Sequence, residues 1–237
     1  MPDPIVVPRL TRRRGPAARS TTWWGRAFVR SVEETTLEGD ALTASRSLAG
    51  SGRLSALVVL ESMASAVVDP GTSTSVMPQV KIAKLDAASW RAFAQEVARE
   101  NGFVTALETG ELPAELVEHA DEAGVELMPG PGAIDTACEC EAWIQPCVHA
   151  LALLHQLAWA IDRDPYVLML LRGRTREALL EDVATSVSSR DERGAAELED
   201  ARVRAAQVLA LAREAPPGHG LADTAVASYD EQVSRLL

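Results

Sequence analysis

The chain of 237 residues is poor in sulfur and in rings: three cysteines, and Phe, Trp and Tyr together at 4%. Its longest apolar run, Ala150 to Ile161, is interrupted by His155 and Gln156. No stretch reaches the roughly 18 residues that a membrane-spanning helix needs. The first residues carry proline and arginine where a secretion signal has an apolar centre, so a cytoplasmic location with reduced thiols and no membrane partner is expected. Several chemistries lack their motifs. There is no Cys-x-x-Cys redox pair, no Gly-x-Ser-x-Gly elbow, and Gly130-Pro-Gly132 opens no lysine-bearing phosphate loop. Glu108, Glu111, Glu115 and Glu118 recur at helical spacing without a paired base and form a solvated face. The expectation is a protein without a catalytic site.

What cysteine there is falls in one place. Cys138, Cys140 and Cys147 are followed by His149, a pattern C-x-C-x6-C-x-H. Three thiolates and one imidazole complete a tetrahedral set for Zn2+ and leave no position open for water or substrate. Such a site holds structure together. A disulfide plus one free thiol would suit an oxidising compartment, for which nothing here argues. Pro146 stands just before a strongly helical stretch beginning at Val148, a position that tolerates proline, and the dipole at that helix start favours thiolate. Trp143 is expected to pack over the metal loop and shield its sulfurs. His155 lies nearly opposite His149 on the same helix and is expected to be a satisfied polar side chain. His119 and His219 have no partner cysteine and are expected at the surface.

The net charge of −11 is unfavourable for a protein whose whole surface would meet phosphate. It is unevenly spread. Residues 1–30 carry seven arginines (9, 12, 13, 14, 19, 26 and 30) against Asp3, a balance of +6 that leaves −17 for the rest. This is the pattern of a basic arm on an acidic body, able to touch nucleic acid or an acidic protein surface. Arg172, Arg174 and Arg176, with Arg163 nearby, either contact phosphate or cap a helix and pair with Asp162, Asp164 or Glu177. Trp23 and Trp24, adjacent on a helix, point about 100° apart and serve as core anchors rather than base-stacking rings.

Periodicity gives an α+β fold: a small antiparallel sheet with a mostly helical body. Residues 1–20 form a disordered basic arm. Residues 21–133 form an α+β region, with a helix capped by Thr21 or Thr22 to about Glu34 and another over Asp40–Ala49. Three short strands are expected within Leu54–Leu60, Ala64–Val68 and Val76–Leu85. A helix over Ala87–Glu100, capped by Asp86, presents Trp90, Phe93, Ala94 and Val97 on its apolar face. Residues 134–188 hold the zinc-binding segment and the helices after it. Residues 189–237 form a helical extension, set off by a polar break at 188–194 and carrying a narrow apolar stripe (Leu198, Ala201, Ala205, Val208, Leu209, Ala212) suited to a partner helix.

The spacing of Cys138, Cys140, Cys147 and His149 resembles the SWIM zinc finger. The stretch Thr22-Trp-Trp-Gly-Arg-Ala-Phe28 is similar to the N-terminal signature of bacterial SWIM proteins, and Ala160–Tyr166 with Leu171–Glu177 is similar to the segment C-terminal to their finger. The likeness spans roughly residues 20 to 185. It implies association with a Swi/Snf-type helicase-like ATPase, and a finger that contacts DNA or protein. Two functions stand at this point: an adaptor binding a protein partner, or a nucleic-acid (DNA) binding protein acting through the finger and the arginine arm.

Overall fold

In the computed structural model the described residues are 3–10, 20–69, 71, 74–140 and 142–214. The chain divides into two units, residues 1–187 and 188–237. Arg12, Arg13, Arg14, Arg19 and His219 lie outside the described residues, as does the expected final helix over 221–237.

The first unit is organised around one helix. α6 (Val148–Arg163) is buried on nearly every side, from Ala150 through Ala158 and again at Ala160 and Ile161. A helix apolar all round must be enclosed, and here other elements enclose it. α1 (Trp23–Glu33) and α2 (Gly39–Gly50) pack along it, and β4 (Gln79–Ile82) approaches it from the sheet. Phe28 and Val32, one turn apart on α1, are fully buried there.

The sheet has five antiparallel strands in sequential order: β1 (Ile5–Val7), β2 (Leu57–Leu60), β3 (Met63–Ser65), β4 and β5 (Ile134–Ala137). Alternation places Leu57 and Val59 of β2, Ala64 of β3, and Val80 and Ile82 of β4 in the core. The expected three strands are therefore the centre of a larger sheet, each shorter than its apolar run. β1 and the buried Leu10 correct the expectation of disorder for residues 5–10, whereas residues 11–19 of that arm lie outside the described residues. Ile5 pairs with Val59 and Val7 with Leu57. Beyond the strand, Leu10 is buried, its carbonyl accepting a 2.8 Å hydrogen bond from Gln156 of α6. The same amide donates to the Ala49 carbonyl at 2.6 Å, so one buried side chain ties the N-terminal strand and the end of α2 to the central helix.

α3 (Ala87–Arg99) follows its cap as expected: the Asp86 carboxylate accepts from the Ser89 N–H at 2.7 Å and its pKa is lowered by that bond. Trp90, Phe93, Ala94 and Val97 are buried. α4 (Asn101–Glu108) and α5 (Ala114–Glu122) continue this layer. α7 (Tyr166–Leu171) is entirely buried. α8 spans Arg176–Glu214, 39 residues, and the expected polar break at 188–194 is helical instead. One glycine in that stretch costs a helix about 1 kcal/mol, too little to interrupt it.

Candidate metal centre

The four sequence-adjacent ligand candidates are delivered by two elements. β5 is held at the sheet edge by pairing with β4, Thr136 opposite Val80 and Ile134 opposite Ile82, and its end hands the chain to Cys138 and Cys140. After the loop, Cys147 is the N-cap of α6, and its sulfur accepts from the Ala150 N–H at 3.4 Å. His149 lies in the first turn of that helix. The Cys147 N–H is itself bonded to Gln145 Oε1 at 3.2 Å.

Three sulfurs and one imidazole nitrogen consequently converge, all within 4.8 Å of one another. Cys138 Sγ stands 4.0 Å from His149 Nδ1. Bonds of about 2.0–2.3 Å to a tetrahedral ion put ligand atoms about 3.5–3.8 Å apart. The Cys138–His149 pair fits an ion after a contraction of a few tenths of an ångström, and the widest pair after one of up to about 1 Å. No disulfide links the three cysteines.

Burial pushes the Cys138 thiol up to about 12. Burial likewise raises Cys147, against the Ala150 N–H that favours its thiolate. Burial also works against the Cys140 thiolate, yet the Ala142 N–H and the thiols of Cys147 and Cys138 bring it below the ordinary thiol value. Burial lowers the His149 pKa and so favours the neutral ring, the form that ligates.

Other expectations are corrected here. Trp143 does not shield the sulfurs: it is 101% exposed at the tip of the loop, with Ile144 beside it at 53%. The loop between the two ligand pairs is only six residues long, with Ile144 and Ala142 as the other apolar side chains besides Pro146, too few to enclose a tryptophan. That was the signal of its exposure. His155 is not a satisfied side chain: it is buried, and its Nε2 has no hydrogen-bond partner. His119 is half-buried, edge-on to Phe103 at 5.8 Å, with Nδ1 enclosed and unpartnered.

The arginines beyond the ligands are structural, with partners other than those expected. Arg172 is buried and donates to the carbonyls of Ala83 and, at 2.7 Å, of Glu126. Arg174 pairs with Asp182. Arg176 donates to the Glu108 carbonyl at 2.9 Å and lies 4.7 Å from the centre of the Tyr166 ring. Trp23 and Trp24 are anchors, as expected. They meet edge to face at 6.1 Å and donate to the carbonyls of Leu112 (2.7 Å) and Ile161 (2.9 Å).

These observations define an α+β protein with a Cys3His cluster that can hold a metal ion. Among the described residues no helix is long and apolar enough to cross a membrane. The chain is similar to "Uncharacterized protein Rv2102" of Mycobacterium tuberculosis, with 29% identity over 202 residues, covering 82% of this chain and 71% of that protein. No family model and no solved structure matches it.

Proposed function

We propose that this is a non-enzymatic adaptor of the SWIM type, in which a structural Zn2+ on Cys138, Cys140, Cys147 and His149 fixes a loop that binds a protein partner. The observation that carries this reading is the convergence of four soft or borderline donors within 4.8 Å, at a place where two secondary-structure elements meet. A fully protein-ligated ion has no site for substrate, so its work is to pin the end of β5 to the start of α6. The loop so pinned holds out Trp143 and Ile144. Exposed tryptophan is the side chain most enriched among residues that dominate binding energy.

Charge favours protein over nucleic acid as the partner. Between Arg99 and Arg163 the chain contains no lysine or arginine, while Asp135, Glu139 and Glu141 flank the metal loop. Phosphate would be repelled there. The resemblance to SWIM proteins points to a Swi/Snf-type helicase-like ATPase as that partner.

The test has two arms. Elemental analysis of the purified chain should find about one zinc per molecule, and Cys147→Ser should lower it well below that. Full occupancy in the variant sinks the assignment. Nuclease-treated co-purification from the native cell should then recover a helicase-like ATPase with the wild type but not with Trp143→Ala. Tight, steeply salt-dependent binding of duplex DNA, lost when Arg12, Arg13 and Arg14 become alanine, would instead establish the DNA-binding alternative.

A further inference from the structure

Among the described residues, nothing covers an apolar seam on the second half of α8. Residues 195–210 are all exposed, with Leu198 at 74%, Val208 at 38% and Leu209 at 61%. Leu198, Ala201, Ala205 and Val208 recur at alternating steps of three and four, the a and d positions of a heptad, and Ala212 continues the register in the sequence. A strict a/d seam is too narrow to cover a globular core and has the width that a second helix covers. In the sequence it stops before Pro216, a residue type that interrupts helices.

We infer that two copies of this chain pair through this seam as a parallel two-stranded coiled coil. The charges beside the seam select that occupant. With Leu198 at a, Glu197 is at g and Arg202 at the following e. In a parallel pair, g of one helix faces the next e of the other, so Glu197 meets Arg202 of the second copy, twice by symmetry. Arg202 reaches Glu199 on its own helix at a loose 3.8 Å and is 84% exposed. Arg204 is engaged with Asp200 at 3.0 Å on its own helix. The seam from Leu198 to Ala212 is short, about 21 Å at 1.5 Å per residue, and three of its five positions are alanine. The pair is consequently reversible.

The inference does not rest on the metal assignment, and sedimentation equilibrium of the full metal-loaded chain tests it. At about 100 µM a mass approaching twice the 25.4 kDa chain is expected, falling toward the single-chain mass on dilution. Leu198→Glu combined with Val208→Glu places charge in the seam on an exposed surface, where the helix itself tolerates it. Pairing should weaken by far more than tenfold. Glu197→Arg or Arg202→Glu alone should each weaken pairing several-fold, and the two together should restore it, since the facing charges are again opposite. A monomeric wild type at that concentration, or a dimer indifferent to Leu198→Glu with Val208→Glu, overturns the inference. Failure of the double exchange to restore pairing overturns the parallel register. The Cys147→Ser chain should dimerise as the wild type does.

Discussion

The carboxylate of Asp162, near the end of α6, occupies the space that a side chain on Gly25 of α1 would fill: a Cβ there would stand 2.3 Å from Oδ1. It sits against the start of α1 and accepts from the Thr21 N–H (2.9 Å), the Thr22 N–H (2.8 Å) and the Thr22 hydroxyl (2.6 Å). That hydroxyl in turn accepts from the Gly25 N–H at 3.0 Å. A helix start presents unsatisfied donors and partial positive charge, and both are answered here by an acid from another helix.

Gly25→Ala should therefore destabilise the protein by about 2 kcal/mol through overpacking against a group held by several bonds. In an Asp162→Ala background the carboxylate is gone and only the Cβ, 2.8 Å from the new methyl, remains, so the same substitution should cost less. Chemical denaturation of the four chains closes the cycle. Additive effects would show that the two residues do not compete for this space.

Much of this lock was visible in the sequence without its purpose. Thr22 announced a cap, and Trp23, Trp24 and Gly25 stood in a recognisable run, but Asp162 is remote in sequence and only the fold brings it in. The same division holds elsewhere. α3 was legible because its cap and stripe are local, and the metal cluster because its ligands are neighbours in the chain. β1 was not, since three residues among prolines and arginines carry no pattern of their own, and their partner strand begins at Leu57. Nor could the destinations of Arg172 and Arg176 be read, because backbone carbonyls of remote residues leave no mark in composition.

Removal of the ion should act locally first. The donor set joins the end of β5 to the N-cap of α6, whereas Phe28 and Phe93 of the core lie on α1 and α3. A strong chelator should speed amide hydrogen exchange at Thr136 and Ala137 by an order of magnitude or more while α3 amides keep their protection. Uniform loss of protection would mean that the site supports the whole first unit. Unchanged exchange would mean that no ion was held there.

Trp143 separates binding from stability. Because it is fully exposed, Trp143→Ala should leave the unfolding free energy within about 0.5 kcal/mol of wild type. Trp90, at 3% exposure and donating to the Arg172 carbonyl at 3.3 Å, should cost about 3–5 kcal/mol on the same change. Loss of the copurifying partner on Trp143→Ala, at unchanged stability and zinc content, is the outcome expected of a binding residue. A large drop in melting temperature would place Trp143 in the fold instead.

His155 should make stability fall in mild acid. Burial, assisted by the Arg46 charge and opposed by Glu33, lowers its pKa from the ordinary 6.5 to about 4, and Nε2 has no partner that would welcome a proton. The Glu33 carboxylate is paired with Arg46 at 2.5 Å and is not free to neutralise an imidazolium. Below pH 6.5 the unfolded chain takes up a proton that the folded chain refuses, and stability is lost as pH falls toward 4, where both states are protonated. A shift of this size corresponds to as much as about 3 kcal/mol. Urea unfolding at pH 7.5 and pH 5 should resolve most of that difference, and His155→Leu should remove it while leaving the response of the other groups. A variant with the same acid dependence as wild type would assign the titration to another residue.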